Sequence, residues 1–320
     1  VAFMHTGAYQ EALSGFGGVN HCLIPSPKHI IIDTASLINL FCPEKDKNGN
    51  KGTSHNKGDE PIEPFVFFKS DNNLLGFSKA KNNNIVILAG LFEKDENDNL
   101  FKAYVCIDKN GLVAKYRKLH PFINPYLTPG DRYCIFEIEG WKCGILICYD
   151  NNIIENVRAT KLLGADIIFM PHVTMCTPST RPGAGFVAPQ LWENREADPT
   201  SLRLEFDGMK GRDWLMKWLP ARAYDNAIYA VFSNPIGMDD DQLKNGCSMI
   251  IDPFGDILAE CRSFDDSFTT AIITPEKRIQ AGGNRYIKAR RPELYRDIIG
   301  QEHKSEQNVV WLNTDEKSKN

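Results

Sequence analysis

The sequence has no run approaching the ~20 consecutive apolar residues of a transmembrane helix, so no membrane partner is expected. It has no excess of basic charge. Its 37 Lys and Arg stand against 41 Asp and Glu, a formal net charge of −4. A nucleic-acid binder needs a basic face, so that partner is not expected either. The opening residues, VAFMHTGAYQ, lack the basic flank and apolar core of a secretion signal. They also lack an initiator Met, and a true N-terminus upstream of Val1 is expected. Finally, the nine cysteines contain no CxxC pair, and their odd number does not suit a disulfide framework. A cytoplasmic protein with mostly buried, reduced thiols is the expectation.

What is present is an apolar content of 42% in 320 residues, enough for a substantial core. One large α/β domain or two small ones would fit this length. The chain changes character along its length. Residues 1–44 are mostly apolar and atypical. Residues 45–64 are rich in Lys, Asn, Gly and Pro and read as a polar loop. From residue 65 regular patterns begin. IVILAGLFE, FKAYVCID and LVAKYRK read as strands, with an Asn-Gly turn making the last two a hairpin. FEIEGWKCGILICYD predicts two strands around a Gly, and NIIENVRATKLLGA a helix of about fourteen residues. DIIFMPH is short and wholly apolar, as in a strand buried on both faces. Residues 175–210 read as an irregular insertion. DWLMKWLPARAYDNA reads as helix broken or kinked by Pro220. Four further strand patterns follow, and the tail 301–320 is charged. Mixed strands, hairpins and helices predict a layered α/β sandwich.

The chemistry concentrates at WKCGILICYD. Cys148 closes an apolar strand just before a helix. There its side chain stands at the sheet edge near helix N-terminal N–H groups, which favour a thiolate and supply oxyanion donors. The other eight cysteines read as small buried hydrophobes. A thiolate needs a base and a cationic helper. KYRKLHPF offers two, Lys118 and His120, and spacing alone does not separate them. His172 and Cys176 are two metal-ligand types without a third, so no metal is expected.

KYRKLHPF, LTPGDRY and GILICYDNNIIENVRATKLLGADIIFMPH together resemble the nitrilase, or carbon–nitrogen hydrolase, superfamily. GLFEKDENDNLFKAYVCIDKNG, WLPARAYDNAIYAVFSNPIG and GCSMIIDPFGDILAE resemble its flanking segments, so that the resemblance covers about residues 65–300. It implies a four-layer αββα sandwich, a Glu–Lys–Cys triad and no cofactor. Cys148 would be the nucleophile toward a small amide, N-carbamoyl or nitrile substrate, forming a thioester or thioimidate and releasing ammonia. Lys118 and the backbone N–H of Tyr149 would stabilise the oxyanion. His172, Thr174 and Asn151 would border the pocket, with His120 structural. A homodimer or larger homo-oligomer is implied.

Three departures from that family stand out. The triad glutamate falls on Glu44, in ASLINLFCPE, with Glu11 as alternative; Glu93 is a third acid of the kind the family carries outside the triad. The family's second active-site glutamate aligns with Pro125. Residues 1–32 resemble instead the C-terminal end of a biosynthetic arginine decarboxylase, with no pyridoxal phosphate expected from so short a match. Such a start implies an altered or incomplete N-terminal strand-helix unit, a lost strand and a new sheet edge. It also suggests polyamine metabolism and an N-carbamoylputrescine-type substrate. The cationic tail of that substrate would want acids such as Glu193, Asp198, Glu205 and Asp207, although these interleave with Arg195, Arg203, Lys210 and Arg212 as a salt-bridged face would. Trp192 is a wall or core residue. The alternative function is a catalytically impaired relative that binds a metabolite or partner.

Overall fold

The computed structural model describes residues 2–5, 30–33, 80–121, 126–174, 176–177, 183–239 and 242–302. Its strands run in chain order as β1 (Ala2–His5), β2 (Ile30–Asp33), β3 (Val86–Lys94), β4 (Leu100–Asp108), β5 (Gly111–Arg117), β6 (Ile135–Ile138) and β7 (Trp141–Ile145). They continue as β8 (Ile167–Pro171), β9 (Tyr229–Ser233), β10 (Ile236–Asp239), β11 (Gln242–Asn245), β12 (Met249–Ile251), β13 (Ile257–Glu260) and β14 (Ser267–Thr270). The helices are α1 (Ile154–Leu162), α2 (Pro189–Glu193), α3 (Pro199–Asp207), α4 (Arg212–Met216), α5 (Leu219–Asn226), α6 (Pro275–Gln280), α7 (Gly282–Lys288) and α8 (Pro292–Ile299).

Two six-stranded sheets form, ordered β14-β1-β2-β3-β4-β5 and β13-β12-β9-β8-β7-β6, with β10 and β11 a separate hairpin. The period-2 alternation of β4 shows how the layers stack. Ala103, Val105 and Ile107 gather on one face with Ala80 of the helical segment 80–83. Tyr104 and Cys106 turn to the other face and enter one large core with Phe136, Ile145 and Phe169 of the second sheet. Val157 of α1 and Ala223 of α5 join that core. The order is helix, sheet, sheet, helix. Each large apolar side chain removed from water here contributes roughly 1.5–3 kcal/mol. β8 is buried at all five positions, as its unbroken apolar run predicts. Close approach sets one residue type: a Cβ on Gly144 of β7 would lie 2.4 Å from Thr160 Cγ2 of α1.

The structure corrects several expectations. The start does not cost the sheet a strand: β1 lies inside the first sheet, antiparallel to β14 and parallel to β2. The stretch 175–210 is not wholly irregular, because α2 and α3 lie in it. The expectation for DWLMKWLPARAYDNA holds in outline: its helix is broken, α4 ending at Met216 and α5 starting at Leu219 with Pro220 in its first turn, where the missing N–H costs no hydrogen bond. The helix after Cys148 has nine residues, its leading residues being used in a tighter turn. Glu11, Glu44, Pro125 and the polar loop 45–64 lie outside the described residues, as does the tail from 303.

Candidate active site

The site is built at the ends of β5, β7 and β8. Backbone pairing within the second sheet carries β7 to Ile145, and the chain then enters one 3-10 turn, Cys148–Asn151. Cys148 itself takes φ = 52°, the left-handed region that a residue with a Cβ adopts at a cost of about 1 kcal/mol or more. The turn therefore presents its sulfur sharply, and the surrounding contacts must hold it there.

Asp150 supplies much of that hold. It is fully buried, and its carboxylate accepts from Tyr116 OH at 2.7 Å, the His120 N–H at 2.9 Å, the Leu119 N–H at 3.2 Å and the Ile147 N–H at 3.3 Å. His120 Nδ1 lies 3.0 Å from the same carboxylate. Burial pushes this carboxyl up, but the charge of Lys118 and the bonds from His120 and Tyr116 outweigh it, holding the group below the usual range. One acid thus ties the end of β5 to the turn. It also occupies His120 through both the backbone N–H and the ring.

Lys118 is 2% exposed, and its Nζ donates to the Ile147 carbonyl at 2.7 Å, one residue before Cys148. On the other side stands His172, immediately beyond β8 and buried between the rings of Phe232 and Trp218, with centroids 4.8 and 5.5 Å away. The Asn151 amide nitrogen donates to the carbonyls of Leu146, at 2.7 Å, and Cys148, at 3.2 Å. His172 Nε2 lies 3.2 Å from the same nitrogen. Burial pushes the Cys148 thiol up. The charges of His172 and Lys118 and hydrogen bonds from His172 and the Val173 backbone outweigh it and bring the thiol down to about 6. Burial drives Cys143 and Cys106 the opposite way, Cys106 to about 12, as for inert core thiols.

Of the other residues expected from the sequence, Tyr149 is half-buried with its ring edge-on to His120 at 6.1 Å. Thr174 is buried, its N–H donating to Asn234 Oδ1 at 2.7 Å. Glu93 is engaged elsewhere: it accepts from Arg117 at 2.7 and 2.8 Å and from Lys115, and these partners outweigh its burial and depress its pKa. Three of the four acids of the insertion are also engaged, and Glu193 is exposed. Asp198 caps α3 through the Ser201 N–H at 3.1 Å, Glu205 pairs with Lys210, and Asp207 pairs with Arg262. Trp192 packs with a satellite core and under the Arg195 guanidinium. Sequence reasoning missed Lys102. Its signal was an odd one: a lysine on the inward register of β4, where apolar Tyr104 and Cys106 follow. Among the described residues no group of three or more His, Cys, Asp or Glu side chains could hold a metal ion.

The family model described as "Carbon-nitrogen hydrolase" matches residues 77–281. Among curated relatives, a protein of Pseudomonas protegens described as "Hydrolase in pqqF 5'region" is 28% identical over 218 residues, 66% of this chain and 65% of that protein. The chain thus spans about two thirds of that relative's length. The N-carbamoylputrescine amidase of Solanum tuberosum is 25% identical, covering 69% of this chain and 70% of that one. Among solved structures, a carbon-nitrogen hydrolase from Helicobacter pylori G27 shares the fold with a TM-score of 0.66 at 17% identity, over 94% of this chain and 97% of that chain.

Proposed function

The chain belongs to the carbon–nitrogen hydrolase family, and from that premise we propose that it hydrolyses a small amide, N-carbamoyl compound or nitrile through a thioester or thioimidate on Cys148. The observation that carries this reading is a thiol on a strained turn, brought to about 6 beside buried Lys118 and His172. For an amide, the Cys148 thiolate attacks the carbonyl carbon. The developing oxyanion is met by Lys118 and the Tyr149 N–H. The proton from the thiol passes through a carboxylate to the leaving nitrogen, the C–N bond breaks, and ammonia departs. The same carboxylate then takes a proton from water, which attacks the thioester, releases the acid and restores the thiol.

Glu44 is the carboxylate we assign, with Glu11 the alternative. Support comes by elimination: Asp150, the described acid at the cysteine turn, accepts from Tyr116 and His120, and Glu93 is held by Arg117 and Lys115. His172, Thr174 and Asn151 border the pocket in this reading. A homo-oligomer goes with it, supported by exposed Ile154, Leu162 and Leu163 around α1 and Ile298 and Ile299 of α8.

The test is ammonia release from N-carbamoylputrescine, an ω-amide and an aliphatic nitrile. Loss of turnover in both Cys148→Ala and Glu44→Gln supports the reading. Loss in Cys148→Ala and Glu11→Gln, with Glu44→Gln active, moves the base. A folded wild type inert to the whole panel sinks the hydrolase reading in favour of an impaired relative.

A further inference from the structure

Lys102 stands directly across from Lys118. The register of β4 against β5 pairs Tyr104 with Tyr116 and Ala103 with Arg117, and the Lys118 N–H donates to the Lys102 carbonyl at 2.8 Å. Side chains so opposed have Cβ atoms about 4.5–5.5 Å apart, and like charges there repel. The parity of the strand turns Lys102 to the same face as Tyr104 and Cys106, toward the sheet interface and the nucleophile. Lys118 donates one N–H of its ammonium to the Ile147 carbonyl and serves the oxyanion in the hydrolase reading. Lys102 makes no hydrogen bond or ion pair with any described side chain, although it is half-buried. Desolvation and the charge of Lys118 push its ammonium down, and the charge of Cys148 draws it up, which puts all three groups within one electrostatic neighbourhood.

The charge balance of the site then changes during the reaction. While Cys148 is a thiolate, its charge is the one that favours the Lys102 ammonium, whereas Lys118 has the buried Asp150 carboxylate as well. Once the thiol carries an acyl group, Lys102 loses that counter-charge and still faces Lys118. A carboxylate brought by the substrate would fill this deficit. A cationic tail would worsen it, and three of the four acids once expected to receive such a tail are engaged elsewhere.

From this juxtaposition we infer that Lys102 is a specificity-determining residue: it binds a carboxylate on the substrate, so the site selects short amides bearing an acid group over neutral or cationic ones. The substrate part of this inference rests on the hydrolase reading.

The test separates the two. Iodoacetate and iodoacetamide alkylate the same thiolate and differ mainly in the carboxylate, so their rate ratio at Cys148, followed by mass spectrometry of its peptide, reads the anion site without turnover. The ratio is expected to fall about tenfold in Lys102→Met and to be largely retained in Lys102→Arg. The iodoacetamide rate corrects for any change in thiolate fraction, and circular dichroism checks the fold. An unchanged ratio in folded Lys102→Met overturns the inference. Turnover of succinamate, pentanamide and 4-aminobutanamide forms the second arm. Wild type is expected to favour succinamate by at least about tenfold in kcat/KM, and Lys102→Met to lose that preference. An equal loss on all three amides overturns the inference, since Lys102 would then serve chemistry or packing. A Lys102-dependent alkylation ratio without turnover of any amide supports the anion site and sinks the hydrolase reading.

Discussion

The turn that carries Cys148 and the facing strand ends that carry Lys118 and Lys102 are held in different ways. The turn is fixed from several sides at once. Asp150 receives main-chain and side-chain donors, Asn151 donates to two carbonyls, Asn156 Nδ2 donates to the Asp150 carbonyl at 3.0 Å, and Arg222 donates to the carbonyls of Asn151 and Asn152 at 3.1 and 3.0 Å. The lysines reach inward on four-carbon stems from a regular ladder, one with a single acceptor and the other with none among the described residues. The strained φ of Cys148 explains the difference: such a conformation persists only where neighbours over-determine it. The turn should therefore respond to mutation through both stability and activity, and the lysines mainly through charge.

The sharpest break of the comparison is Cys148→Ala. It removes the nucleophile and leaves the turn's hydrogen bonds in place, so turnover is expected to fall about 10⁴-fold or more with an unchanged fold. Residual activity within tenfold of wild type would discard Cys148 as the nucleophile. Next comes Lys118→Met, which removes one cation from beside the thiol. Turnover is expected to fall about 10²–10³-fold. The pH midpoint for iodoacetamide alkylation, expected at about 6 in the wild type, should rise, because the thiolate loses a favourable charge. A midpoint that stays put would mean that His172 alone sets the thiol.

Asp150→Asn tests the other side. The variant leaves a buried cluster of donors facing a weaker acceptor, and a loss of roughly 2–4 kcal/mol in unfolding free energy is expected. The pH dependence follows from the depressed pKa. The folded state holds Asp150 ionised below the unfolded value near 3.9, so its stabilisation is fully present above that value. It is lost as pH falls toward and through the folded pKa. Urea unfolding at pH 7 and pH 3 should thus show a smaller acid loss in Asp150→Asn than in wild type. Equal losses would show that other carboxylates carry the acid sensitivity.

Much of this was legible beforehand, for definite reasons. The hairpin of β4 and β5 shows alternation and an Asn-Gly turn, two signals for one structure. Cys148 is legible because a strand ends there and a polar turn begins. The helices α2, α3, α6 and α8 were missed for a shared reason: each has Pro in its first turn. Proline stops a helix only from its interior; at the first turn it starts one. Asp198 before Pro199 was the readable start signal, an N-cap followed by an N1 proline. Lys102 was not legible as a site residue, because its importance lies in facing Lys118, and register between strands emerges only once the hairpin is laid out.

The smallest effect, and the finest probe of the comparison, belongs to Tyr116→Phe. Tyr116 is on the lysines' side of the interface, yet its hydroxyl donates to Asp150 at 2.7 Å, so it links the two regions. Removing the oxygen keeps the ring in the core and leaves Asp150 with its main-chain donors and His120. A stability loss of about 1–2 kcal/mol is expected, with turnover within about threefold of wild type. In a double-mutant cycle with Asp150→Asn, the two losses should fall short of additivity, because the first change already weakens the bond that the second removes. Full additivity would mean that Tyr116 stabilises the core by packing alone and that the tie between the strand ends and the turn runs through His120 and the main chain.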